Sequence, residues 1–507
     1  MSTLKEKRER DKREREKYAR KKKAGGIKEE HTFVIDKLLK SGTYNCAHLL
    51  KDKNEVLRIA RFDVDKEMNN RIVKRGLDIV HAMNAVELQP LLGPSMLREL
   101  SKYQIVSKAD LQNLVIGEMC YMVEEGDEYD QYGLQHIEYL AGGEFNNSSK
   151  SSLVLTKDDV LFSLFSLVWF LASAQQYLGF RHHDLKAENI MFRRTSEKQT
   201  YSFHLHGKKD RYYTFQTDIV PVVIDYDFAT VDTTRDIEQR TVLGTYYTCS
   251  PDSLMNDICI ENERKNTKVY NEEVRDFWAV GICMTHLMLN FKEPWTLFQA
   301  HCEGFATNAM NYYNRPSQNF ELKNEESARN LSREYFQWLF YACCWQSIVL
   351  YEPRGNRVQL APSGEWYMFV ENSLWGSWNM IMSQDQEYRA VLAAFNALDV
   401  PLKSILRTLM NEDPGERNKH DMPAKLLAHP YFGGTTKANL QTNYTYNIEI
   451  LKMLTDTSHL KHVITKYHPW IENALCSSCA DPNKRESYWC KCCNRVFCGE
   501  SCQIKNH

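Results

Sequence analysis

The chain has 507 residues, 43% of them hydrophobic, 12% aromatic and 26% charged. That balance excludes a fibrous or wholly disordered chain, and the length predicts two or three domains. The formal charge of −2 gives the molecule as a whole no electrostatic case for wrapping nucleic acid.

The charge is uneven. Residues 1–23 hold 12 Lys/Arg against 5 Asp/Glu, a net of +7 that leaves −9 for the rest. Residues 1–30 read as a basic, charged helical tail ending at Ala24-Gly25-Gly26. Its run Arg20-Lys21-Lys22-Lys23 has two readings: a solvated helix laced with i,i+4 pairs, or a nuclear-import or anionic-surface patch. From Phe33 the pattern turns to short β-like runs, F-V-I-D-K-L-L, A-H-L-L and E-V-L-R-I-A-R-F. A helix is expected over roughly 65–83, then a strand-like block closing at Ile137-Glu138-Tyr139-Leu140. After Gly142-Gly143 the chain reads as mostly helical up to Phe432.

Residues 160–180 carry no charge over 21 positions, long enough to span a bilayer. Ser173, Gln175 and Gln176 interrupt the run, so it is expected to be a buried helix of a large domain and not a membrane span. A second uncharged run over 335–351 reads as core or interface.

The strongest constellation is His182-His183-Asp184-Leu185-Lys186-Ala187-Glu188-Asn189, followed by Val222-Val223-Ile224-Asp225-Tyr226-Asp227-Phe228-Ala229. An Asp and a Lys two apart, an Asn five beyond the Asp and a second Asp after an apolar strand form a chemical set. Such a set can orient a hydroxyl nucleophile, neutralise a transferring phosphoryl group and hold Mg²⁺ through hard oxygen ligands. At this point the chain resembles the eukaryotic-type serine/threonine protein kinases. Four further segments carry the likeness in the same order. Residues 137–145, I-E-Y-L-A-G-G-E-F, resemble the hinge between the lobes, and 244–252, G-T-Y-Y-T-C-S-P-D, resemble the end of the activation segment. Residues 276–281, D-F-W-A-V-G, resemble the start of the central helix. Residues 406–417 and 426–432 resemble the closing helices, with Arg417 matching the Arg that pairs with the acid at Asp252.

The resemblance covers about 31–432 and implies an α+β, two-lobed protein-kinase-like fold. The β-rich small lobe would span about 31–140 and the α-rich large lobe about 141–432, with insertions near 195–219 and 297–396. It implies ATP and Mg²⁺ as cofactors and a protein substrate phosphorylated on Ser or Thr. Asp184 would orient the substrate hydroxyl, Lys186 would neutralise the γ-phosphate, and Asn189 and Asp225 would hold Mg²⁺. Gly42 and Tyr44 would cover the phosphates, Arg58 would grip them, and the backbone of Glu138, Tyr139 and Leu140 would bind adenine. His183 stands where many kinases carry an Arg that receives an activation-loop phosphate, so control by that modification is not expected. The phosphate loop, L-K-S-G-T-Y-N-C-A over 39–47, keeps one glycine, and the third strand offers Arg58 or Arg61 where a Lys is usual. Lys40 or Lys51 are alternative cations, and the partner acid on the next helix is Glu67 or Asp78. A diverged phosphate region on an intact catalytic set is similar to kinases of large DNA viruses.

Seven of the 15 cysteines fall in the last 32 residues, a concentration that reads as metal ligation in a reducing, cytoplasmic setting, with the nucleus as the alternative address. Cys476, Cys479, Cys490, Cys493, Cys498, Cys502 and His507 follow C-x2-C-x10-C-x2-C-x4-C-x3-C-x4-H, leaving Cys492 as a spare. Two C-x2-C knuckles suffice for a tetrahedral thiolate Zn²⁺ site, and the rest form a second, incomplete set. The segment over 475–507 resembles MYND-type zinc fingers, which implies a short-peptide partner; residues 433–474 read as a linker. The rival to a kinase is a pseudokinase scaffold that binds partners through the Trp-rich insertion at 297–396 and the finger. Nucleic acid is expected only weakly, through the basic tail.

Overall fold

The computed structural model describes residues 32–41, 45–62, 67–119, 131–145, 155–206, 210–231, 244–251, 253–254, 275–289, 296–313, 326–350, 385–411, 422–438, 442–449, 488–490 and 495–497. The chain divides into two compact units, the first running to Asn84 and resuming from Leu97 to Tyr139. The second takes Ala85–Met96 and everything from Leu140. The protein is mixed, with a curled sheet in the first unit and helices dominating the second.

The first unit follows from period-two alternation. Its strands are β1 (Phe33–Ser41), β2 (Asn45–Leu50), β3 (Glu55–Phe62), β4 (Glu99–Ser107), β5 (Val115–Ile116) and β6 (Gln131–Glu138), in the spatial order β4-β6-β3-β2-β1-β5. β1, β2 and β3 form an antiparallel meander, β6 inserts between β3 and β4, and β5 pairs parallel to β1. On β3 the odd residues Leu57 and Ile59 join Ile35, Cys46, Tyr132, Leu134 and Leu111 in one apolar cluster. The even residues Ala60 and Phe62 face the other way, onto Val73 and Leu77 of helix α1 (Glu67–Met83). A strand buried on both faces needs such a two-sided pattern. Helix α2 (Lys108–Leu114) carries Leu111 into the first cluster.

The second unit is built around helix α3 (Lys157–Leu178), which is apolar on nearly every face. It starts at a capping box, in which the Asp159 carboxylate accepts the Thr156 N–H at 2.9 Å while Thr156 Oγ1 accepts the Asp159 N–H at 3.2 Å. It ends at Gly179, left-handed at φ 60. Among the described residues this is the one helix long and apolar enough to cross a membrane, and 78% of its apolar window lies buried inside the protein.

Its cover is not what the sequence suggests. The region read as mostly helical, with an insertion at 195–219, folds as a long antiparallel hairpin, β7 (Ile190–His206) and β8 (Arg211–Val223). The stretch read as a linker over 433–474 contributes β9 (Tyr444–Glu449), which pairs parallel to β7. Phe165 meets Phe203 at 5.0 Å, Tyr213 at 4.8 Å and Phe432 at 4.9 Å, and Trp169 meets Phe203 at 5.0 Å. The excursion through Ala85–Met96 docks on the same unit. Trp169 Nε1 donates to Leu91 O at 2.9 Å, and Arg193 donates to Pro94 O and Met96 O at 2.8 and 3.0 Å. Gly93 is required there: its φ is +83, and a Cβ would sit 2.7 Å from Trp169 Cδ1.

The remaining helices are α4 (Arg275–Leu289), α5 (Gln299–Tyr313), α6 (Glu326–Leu350), α7 (Gln386–Asn396), α8 (Val400–Leu409) and α9 (Met422–Leu427). The uncharged run over 335–351 lies largely in α6 and its described side chains are mostly buried, with Trp345 fully so. Trp366, Trp375 and Trp378 of the Trp-rich insertion lie outside the described residues. Cys46, Cys249, Cys283, Cys302, Cys343 and Cys344 are buried thiols.

His286 of α4 packs against Trp345 at 4.8 Å and has no hydrogen-bond partner at either ring nitrogen. Burial pushes its pKa down to about 3. The unfolded chain therefore takes up a proton below about pH 6.5 that the folded chain refuses, so stability falls as pH falls. This residue is expected to remove about 2 kcal/mol between pH 7 and pH 5. The check is the urea midpoint at both pH values; an unchanged slope in His286→Leu would show that another group is responsible.

Candidate active site

The site begins where α3 stops. After Gly179 the chain makes a two-way backbone bridge between Arg181 and Thr230, at 2.9 and 2.8 Å. The next two amides are then captured by one buried acid. Asp276, in the first turn of α4 and 1% exposed, accepts the His182 N–H at 2.6 Å and the His183 N–H at 3.1 Å. A carboxylate at that depth needs charge-assisted bonds, and two amides supply them. His183 is held left-handed, at φ 64, with its Nε2 2.7 Å from Thr230 Oγ1. Its neighbour His182 points inward, Nε2 donating to Ile224 O at 3.0 Å.

That anchored turn presents Asp184. Its Oδ1 accepts the Thr245 hydroxyl at 2.7 Å, and its Oδ2 accepts Asn189 Nδ2 at 3.0 Å. Lys186 Nζ lies 3.2 Å from Asp184 Oδ2 and donates to Thr245 Oγ1 at 2.8 Å. Asn189 Nδ2 also donates to Asp184 O at 2.8 Å, so its Oδ1 is the oxygen left to face a cation. Asp184, Lys186 and Asn189 are thus one hydrogen-bonded group.

The second acid arrives along β8. Ile224 N donates to Asn189 O at 2.9 Å, which puts Asp225 one residue from a backbone tie to the Asp184–Lys186–Asn189 group. Asp225 is exposed and left-handed, at φ 63, a conformation uncommon for a residue with a Cβ. Tyr226 beside it is buried, its hydroxyl donating to Val223 O at 3.0 Å and its ring 5.5 Å from His182. Asp227 is also buried. An exposed carboxylate and an amide oxygen freed by its own nitrogen are hard donors suited to Mg²⁺.

Thr245 and Gly244 had no role in the sequence reading, although both sit in the quoted segment G-T-Y-Y. Gly244 is at φ +103, and a Cβ there would lie 2.6 Å from His183 O and 2.8 Å from Asp184 Oδ1. Only glycine lets this strand of chain approach closely enough for Thr245 to reach Asp184. Tyr247 adds a second tie, donating to Glu188 Oε2 at 2.5 Å; burial and then the Glu188 charge raise its phenol pKa.

The first unit holds the other expected residues. Strand register sets Lys40, Ala47, Arg58 and Gln135 in one row across β1, β2, β3 and β6. Arg58 is buried, alternates in step with Ala60 and Phe62 on the α1 face, and donates from Nη1 to Gln135 Oε1 at 3.5 Å. Arg61 falls on the opposite face by the same alternation. Asp78 accepts Lys74 Nζ at 2.7 Å on one oxygen and the Tyr103 hydroxyl on the other. The Glu138 N–H donates to Arg98 O at 3.1 Å and the Tyr139 N–H to Asn54 O at 3.3 Å. Both of these amide donors of the expected adenine-binding stretch are therefore engaged within the protein.

Gly42, Tyr44, Asp252 and Arg417 lie outside the described residues, as do Cys476, Cys479, Cys493, Cys498, Cys502 and His507; of Glu67 only the backbone is described. Cys490 ends strand β10 (Tyr488–Cys490), which pairs antiparallel with β11 (Arg495–Phe497), Cys490 opposite Arg495. No family model matches this chain, and no curated protein matches it in sequence.

Removing the anchor should be severe. Asp276→Ala is expected to lower stability by about 3 kcal/mol, because two buried amides lose a charged acceptor. Hydrogen exchange should show the His182 and His183 amides opening well before those of α3; equal protection in the variant would refute the anchoring role.

Proposed function

We propose that this chain is a serine/threonine protein kinase of two-lobed, protein-kinase-like fold, transferring the γ-phosphate of Mg·ATP to a protein hydroxyl. The observation that carries this reading is the joined group of Asp184, Lys186, Asn189 and Thr245, with Asp225 beside it. Asp184 would accept or orient the hydroxyl proton, held in place by Thr245 and Asn189. Lys186 would bring its ammonium to the charge that develops on the transferred phosphoryl oxygens. Asn189 Oδ1 and the Asp225 carboxylate would hold Mg²⁺, which screens the phosphate charge. Arg58, on the third strand before a helix, is the phosphate-gripping cation of this reading, with a planar fork in place of an ammonium point charge. The cysteine tail completes it as a structural zinc module that binds a short peptide.

The scaffold alternative draws on the first unit, where Asp78 is committed to Lys74 and Tyr103 and the usual lysine is replaced. Against it stands the complete catalytic group, for which a scaffold has no chemical need.

The deciding experiment is phosphate transfer from labelled Mg·ATP to a generic basic protein and to the chain itself. Wild type should label Ser or Thr and Asp184→Asn should not; no transfer by wild type at millimolar nucleotide would overturn the kinase reading. Arg58→Ala is expected to raise the KM for ATP, or lower turnover, about tenfold, roughly 1.4 kcal/mol of transition-state binding. An unchanged rate would move the role to Lys40, Lys51 or Arg61.

A further inference from the structure

The β7–β8 hairpin ends in a group of side chains that the proposed phosphotransfer does not use. His204 and His206 are two apart on β7, so strand alternation puts both on one face. Asp210 comes from the start of the returning chain. His204 Nε2 lies 3.4 Å from Asp210 Oδ2, and His206 Nδ1 lies 3.8 Å from Asp210 Oδ1. One ligand atom from each of the three falls within 4.8 Å of the others. The two imidazole rings are 3.5 Å apart between centroids, and Tyr212 stacks on His204 at 4.1 Å.

We propose that His204, His206 and Asp210 form a binding site for a divalent transition metal, zinc above all, that clasps the end of the hairpin where β7 returns into β8. Two imidazoles and one carboxylate are a common zinc donor set, and a water completes the tetrahedron. Tetrahedral ligands at zinc distances stand about 3.4 Å from one another. The His204–Asp210 pair already has that separation, and the His206–Asp210 pair needs a closure of a few tenths of an ångström. Asn447 of β9 hydrogen-bonds the His204 side chain, the kind of outer contact that fixes a ligating ring. Strand register sets Asn447 opposite His204 and Glu449 opposite His206, so a metal here would also stiffen the attachment of β9.

The site is separate from the cysteine tail, and the test keeps the two apart. His206 and Asp210 have side chains 37% and 49% exposed, so His206→Ala and Asp210→Ala should leave the fold intact by circular dichroism. Full-length protein purified with limiting zinc is expected to lose about one zinc per chain in either variant, read by elemental analysis. In cobalt-loaded protein the thiolate charge-transfer absorption of the tail should stay at its wild-type intensity. Equal zinc in wild type and both variants overturns the proposal, as does a zinc loss accompanied by a matching fall in thiolate absorption.

Discussion

The candidate site depends on one buried carboxylate. Asp276 is nearly inaccessible to water, yet it makes strong bonds because two consecutive amides, those of His182 and His183, are aimed at its two oxygens. Neither partner is stable there alone: an unpaired carboxylate would be driven to protonate, and unpaired buried amides would cost a hydrogen bond each. The pair fixes the turn after α3 against the start of α4. The left-handed backbone of His183 persists because it is held from both sides, by Asp276 at its amide and by Thr230 at its ring.

Exposure rises outward from that anchor. Asp276 is sealed, Asp184 is 4% exposed, the Lys186 side chain is 25% exposed, and Asp225 is open to solvent. The anchoring carboxylate, Asp184 and Asn189 are therefore inside, while Lys186 and Asp225 reach toward solvent. Thr245 links the two regimes, since its hydroxyl donates to Asp184 and accepts from Lys186. The hydroxyl thus joins an acid and a base that also pair directly, Lys186 Nζ lying 3.2 Å from Asp184 Oδ2.

The parts of this arrangement that could be read from the sequence are those encoded in short spacing. Asp184, Lys186 and Asn189 lie within six residues between a long apolar run and a V-V-I strand, and β1, β2 and β3 announce themselves as short β-like runs. What could not be read is what joins distant segments. Asp276 lies 94 positions from His182, and Thr245 lies 61 from Asp184, so no local period links them. The hairpin was missed for a different reason. Residues 193–200, R-R-T-S-E-K-Q-T, carry little apolar signal, because this part of β7 is largely exposed and β strands need only one apolar face. β9 is short and polar, and its identity as a strand rests on pairing with β7.

The hairpin in turn explains the most ambiguous segment of the chain. A 22-residue helix as apolar as α3 would fit a bilayer by length and composition. It can sit in a water-soluble core only if something apolar covers it on every side. Phe203 and Tyr213, with Phe215 at 5.0 Å from Phe165, supply that cover from the hairpin, Phe432 supplies it from the closing helices, and Leu91 satisfies the one indole N–H of α3. Aromatic contacts of this kind contribute about 0.5–1.5 kcal/mol each beyond their burial. An insertion that looks dispensable beside the catalytic motifs is therefore part of the core that holds α3, and α3 ends in the turn that Asp276 captures. The geometry of the candidate site and the packing of the hairpin are linked through that one helix.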